Sequence, residues 1–163
     1  MDFDLTEEQV QLRDAARKLA QHEFRDKAAR WDRDETFPEE NKHRLAELGY
    51  LGLSVDREFG GSGAGLVSTY LVIEELAKVD LLTAMIVHDQ NVSPRIIANH
   101  GSDELKRRLV PRFVTGELEC SIAWTEPQAG SDGTAIRTAA VRDGDDVLMN
   151  GSKIVTTFGD RAE

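Results

Sequence analysis

Cysteine occurs once, at Cys120, so neither an intrachain disulfide nor a multi-cysteine metal site can form. Set in an apolar run, this thiol reads as a small buried side chain rather than a nucleophile. Long apolar stretches are missing too: the longest, Leu81 to Val87, falls far short of the ~20 residues that cross a bilayer. No charged-then-apolar leader opens the chain, which therefore reads as cytoplasmic. Positive charge is the minority, with 20 Lys and Arg against 30 Asp and Glu and a net charge of −10. That balance argues against binding nucleic acid or an anionic membrane surface. The one basic run, Lys106-Arg107-Arg108, is short and fits a solvated helix face. His22, His43, His88 and His100 are scattered without an i, i+4 pair, so no metal site is expected.

What is present suits a soluble globular protein, with a helical first part. Thr6 and Gln9 form a capping-box pattern, and Leu12, Ala16, Leu19, Ala20, Phe24, Ala28 and Trp31 follow at helical spacing. A second helix is predicted from Thr36-Phe37-Pro38-Glu39, with Leu45 and Leu48 inward and Gly49 as its stop. A glycine-rich loop over residues 53 to 65 precedes a helix from Leu66 to Val79, carrying Leu66, Tyr70, Ile73 and Ala77 on one face and Glu74-Glu75 on the other. Leu81 to Val92 is apolar nearly all round and reads as a buried helix that Pro94 kinks or ends. Ser102-Asp103-Glu104 caps the next helix, which Pro111 disturbs and Gly116 closes.

After Gly116 the pattern turns to short β-type runs: Leu118 to Trp124, Arg137 to Arg142, Val147 to Asn150 and Lys153 to Thr157. Asp143-Gly144 and Asn150-Gly151 are hairpin signals between them. The fold class is therefore α+β: an all-α helical domain over residues 1–117, then the beginning of an antiparallel β-domain over 118–163. A sheet only begun leaves an open edge, an aggregation hazard unless a partner covers it.

Two stretches invite a ligand. Gly60-Gly61-Ser62-Gly63-Ala64-Gly65 lacks dinucleotide spacing, a preceding strand and the Lys-Ser/Thr of a phosphate loop, so it reads as a connector between helices. The second is Trp124 to Gly133, an apolar strand running into a turn. Pro127 stops the ladder, Gly130 and Gly133 bare the backbone, and Thr125, Ser131 and Asp132 add hydrogen-bonding groups. Free N–H groups and hydroxyls at a strand end suit an anionic or carbonyl-rich ligand, though a Gly/Ser/Asp turn can equally be only a turn.

Thr125-Glu126-Pro127-Gln128-Ala129-Gly130-Ser131-Asp132, followed by Asn150-Gly151-Ser152-Lys153, resembles the acyl-CoA dehydrogenase family of flavoproteins. Phe3 to Gln9, Leu45 to Gly52 and Glu58 to Gly63 are similar to the same family, so the likeness covers essentially the whole chain. The resemblance implies FAD as cofactor and an acyl-CoA thioester as substrate, desaturated between its α and β carbons. It also implies an electron-transferring flavoprotein as acceptor and an oligomeric assembly. Ile122, Trp124, Thr125, Gly130 and Ser131 would line the cofactor, Thr125 at the pyrimidine edge of the flavin and Ser131 at the pyrophosphate or the thioester ligand. Val155, Thr156 and Thr157 match a second flavin-lining segment. Val155 and Ile122 stand where the family places aromatics. No catalytic residue is expected in this chain, because the family's carboxylate base belongs to a C-terminal helical domain. Two alternatives share the residues: a flavin-dependent oxidase or monooxygenase of the same fold, and a non-catalytic companion subunit or remnant.

Overall fold

Thr6 starts the first helix: its hydroxyl accepts the Gln9 N–H at 3.2 Å and Gln9 Oε1 accepts the Thr6 N–H at 3.0 Å, the reciprocal capping box expected. The computed structural model describes residues 3–162; Met1, Asp2 and Glu163, where the two expected domains begin and end, lie outside the described residues. The chain forms two compact units, one ending at Cys120 and the other spanning Ser121–Ala162.

The first rod differs from the single helix predicted. Helix α1 (Glu7–Leu19) runs into a π turn (Ala20–Phe24) and then α2 (Arg25–Asp34). The wider turn brings Ala16, Leu19, Ala20 and Phe24 all into the core, after which no residue of α2 is buried. Helix α3 (Glu39–Glu47) follows Pro38 and buries Leu45 completely. Leu48, expected inward, is exposed because Gly49, at φ +74°, turns the chain at once into the buried segment Tyr50–Gly52. In the loop beyond, a Cβ on Gly61 would stand 2.1 Å from the Val55 carbonyl oxygen, so only glycine fits. The glycine run is thus a packed connector, as predicted.

Helix α4 (Gly65–Ala77) buries a face rotated from the one predicted: Ser68, Thr69, Val72, Glu75 and Leu76 face inward, Ile73 and Ala77 are half-buried, and Leu66 and Tyr70 are exposed. A charge pair that the local pattern cannot show lies on the buried side with Val72 and Leu76. Glu75 is held by Arg17 of α1 through two bonds of 2.9 and 3.0 Å and by Lys78 at 2.9 Å. The Arg17 guanidinium holds the Glu75 carboxyl down at about 2.

Helix α5 (Leu81–His100) starts on Asp80, whose carboxylate accepts the Leu82 N–H, and continues past Pro94. It is buried but not apolar all round: Thr83, Asp89, Gln90, Asn91 and Ser93 are all buried. Asn91 serves three backbone groups, accepting from Ser54 N–H and donating to the Tyr50 and Val87 carbonyls at 2.8–2.9 Å. Helix α6 (Asp103–Val114) is capped by Ser102 and packs Val110 and Val114 on Val55 and Phe59. None of the described helices is long and apolar enough to cross a membrane.

In the second unit β1 (Ala139–Asp143) pairs antiparallel with β2 (Asp146–Asn150). The two-residue loop between them starts with Gly144 at φ +64°, where the hairpin twist needs a left-handed residue, and the Asp143-Gly144 signal is realised. The Asn150-Gly151 signal is not, and 118–124 and 153–157 are irregular rather than strands, because neither finds a ladder to join.

Candidate functional site

The turn after Trp124 is built around Glu126. Its N–H donates to the Ala129 carbonyl at 2.9 Å and its carbonyl accepts from Ala129 at 3.1 Å, leaving Pro127 and Gln128 at the tip. The side chain, 3% exposed, then folds back into the unit. Its carboxylate accepts the N–H groups of Arg137 (2.8 Å) and Thr138 (2.9 Å), the Thr138 hydroxyl and the Lys153 ammonium (2.9 Å). Those donors, the Thr138 hydroxyl foremost, hold the carboxyl well below the usual carboxylate range. Lys153 also reaches the Trp124 carbonyl at 3.0 Å.

This hub joins the two segments picked out in the sequence. Ile154 N–H donates to the Thr125 carbonyl at 2.9 Å, and the Ser121 hydroxyl bonds the Thr157 carbonyl. Ile122 to Thr125 and Val155 to Thr157 therefore run side by side in opposite directions. Ile122, Thr125 and Thr156 are half-buried, while Trp124, Gly130, Ser131, Val155 and Thr157 are exposed. Among the described residues, the N–H groups of Thr125, Gly130 and Ser131 and the hydroxyls of Thr125, Ser131, Thr156 and Thr157 engage no protein acceptor or donor.

The two glycines act differently from each other. Neither Gly130 nor Gly133 takes a positive φ. Gly130 has nothing within 4 Å of where a Cβ would lie, whereas at Gly133 that atom would meet the Trp124 ring at 3.0 Å. Gly133 therefore seats the indole, and Gly130 leaves approach to the turn open. Val155 is the strained position: a β-branched residue at φ +48° with 82% of its surface exposed. Sequence reasoning missed Glu126 as the organising residue, although a lone acid beside proline with a lysine downstream was a readable sign. No three described His, Cys, Asp or Glu side chains cluster to hold a metal.

Residues 6–117 match the family model described as acyl-CoA dehydrogenase, N-terminal domain. The chain belongs to the acyl-CoA dehydrogenase family. It is 37% identical to the acryloyl-CoA reductase (NADH) of Anaerotignum propionicum over 99% of its own length and 42% of that protein's. To the short-chain specific acyl-CoA dehydrogenase of Clostridium acetobutylicum it is also 37% identical, over 100% and 43%. A solved glutaryl-CoA dehydrogenase from Mycobacterium smegmatis, in complex with FADH2, superposes with a TM-score of 0.89 at 30% identity, covering 97% of this chain and 41% of that one. The chain thus spans about two fifths of the length of the curated relatives it matches.

Proposed function

We propose that this chain supplies the helical unit and part of the cofactor wall of an FAD-dependent acyl-CoA dehydrogenase, which desaturates an acyl-CoA thioester. The observation that carries the reading is the paired 122–125 and 155–157 segments with their uncommitted donors. Such a surface fits a planar, carbonyl-rich group with a phosphate tail. Thr125 would meet the pyrimidine edge of the flavin, and Gly130 and Ser131 the pyrophosphate or the thioester ligand. Ile122, Trp124, Val155, Thr156 and Thr157 would line the ring. Bound there, FAD would accept the hydride from the acyl β-carbon, and the Thr125 donors are of the kind that stabilise the negative charge this brings.

Within the chain, Glu126 positions and does not abstract. Its buried carboxylate is taken up by Gln128, Arg137, Thr138 and Lys153 and stays ionised. The α-proton base is the family's C-terminal carboxylate in this reading, and Glu126 does not stand in for it. An electron-transferring flavoprotein as acceptor and an oligomeric assembly complete the proposal.

Titration of the purified chain with FAD, followed by quenching of flavin fluorescence and by Trp124 emission, tests the reading. Saturable quenching is expected; unchanged emission from both reporters at excess FAD overturns it. The openness at Val155 favours one second reading, an oxidase or monooxygenase, and rapid air reoxidation of the reduced complex would select it.

A further inference from the structure

We propose that Gln90 is a positioning residue that latches the chain as it leaves the helical unit, fixing the point from which the cofactor wall departs. Gln90 is 3% exposed in the middle of α5, and both ends of its amide are committed. Nε2 donates to the Leu118 carbonyl at 2.8 Å. Oε1 accepts the Cys120 thiol at 2.7 Å, and that thiol also lies 3.2 Å from the Asp89 carbonyl. Leu118 and Cys120 are themselves buried and pack with Phe113. Cys120 is the last residue of the helical unit; Ser121, whose hydroxyl bonds the Thr157 carbonyl, begins the next.

No regular structure holds residues 118–120, since no ladder pairs them. Their course is fixed by this side chain together with apolar packing, the Leu118 N–H donated to the Arg112 carbonyl at 3.1 Å and the ion pair of Glu119 with Lys42. A buried amide with both ends satisfied is costly to disturb from either side, because loss of one partner leaves the other unpaired in the core. A few residues beyond the latch is Thr125, which the flavin reading makes a ligand. The inference about cofactor affinity rests on that reading; the latch itself does not.

Gln90→Leu keeps the shape and removes both bonds. Hydrogen exchange at the amides of residues 118–125 should then rise clearly, with protection in α1, α4 and α6 nearly unchanged. FAD affinity of the chain should fall about tenfold, the worth of one buried hydrogen bond. Gln90→Glu supplies the discriminating readout. Protonated, the acid can donate to the Leu118 carbonyl and accept from Cys120; ionised, it sets a buried charge against that carbonyl. A carboxyl buried there titrates above its usual range, so this variant should match the unaltered chain near about pH 5 and the leucine variant near about pH 8. The charged and titratable neighbours are His88 and Asp89 on α5, Glu119 and Cys120 on the exit segment, and Lys42 of α3, paired with Glu119 at 2.6 Å. The unaltered chain, measured over the same range, accounts for them.

Unchanged exchange at 118–125 in the leucine variant overturns the latch, and so does a glutamate variant with no pH dependence beyond that of the unaltered chain. An unaltered chain that binds no FAD defeats the flavin reading alone and leaves exchange to decide. If that chain binds FAD and Gln90→Leu binds it equally well, the positioning role is refuted.

Discussion

Two acids show how side-chain neighbours decide a residue's behaviour. Glu126 sits in the family motif with a lysine downstream, yet its spacing does not show that five donors, from Gln128, Arg137, Thr138 and Lys153, converge on it. A neutral amide in its place cannot offer two charged oxygens to Arg137, Thr138 and Lys153, so Glu126→Gln should release Lys153 from the Trp124 carbonyl. The expected outcome is a shift in Trp124 emission and weaker flavin quenching, with the helical circular dichroism unchanged. Glu75 gives a pH dependence. Its folded carboxyl is lowered to about 2 by Arg17, so its stabilisation is complete above the ordinary carboxylate range and is lost as pH falls from about 4.5 toward 2. The stability gap between the unaltered chain and Glu75→Gln should be widest at neutral pH and close on acidification, as read by urea unfolding.

At the scale of elements, the legible features are those that short range decides. The capping box at Thr6, the stop at Gly49 and the Asp143-Gly144 turn each depend on residues within four positions. The buried face of α4 is not fully legible locally, because the partner that lets Glu75 be buried is Arg17, 58 residues away. The π turn at Ala20–Phe24 has no local signature beyond one apolar residue too many for a straight stripe. The strand predicted before Trp124 does not form, because the segment beside it gives a single backbone bond, Ile154 N–H to the Thr125 carbonyl, and no ladder. The connector makes a direct test: Gly61→Ala drives a methyl into the Val55 carbonyl and should cost at least about 2 kcal/mol in thermal or urea unfolding.

At the scale of the molecule, the two units differ in what holds them. The helical unit has a packed core running through Phe24, Leu45, Leu51, Val72, Leu76 and Val110. In the second unit every residue of β1 and β2 is exposed, Val141, Val147 and Leu148 among them, and a lone hairpin is marginal in water. Limited proteolysis should therefore cut first within 121–162 and leave a resistant helical fragment; equal resistance of both units would contradict this. The proposed site residues stand out in the sequence as a group because the family motif lies in sequence order, whereas the hub that joins their segments is a tertiary fact. Met149, 70% exposed on β2, has a use that follows from its position. A thioether left open to solvent takes up peroxide oxygen readily, and one sealed under another surface does not. Its rate of sulfoxide formation, compared with that of half-buried Met85, turns the hairpin into a built-in gauge of whatever comes to lie over it.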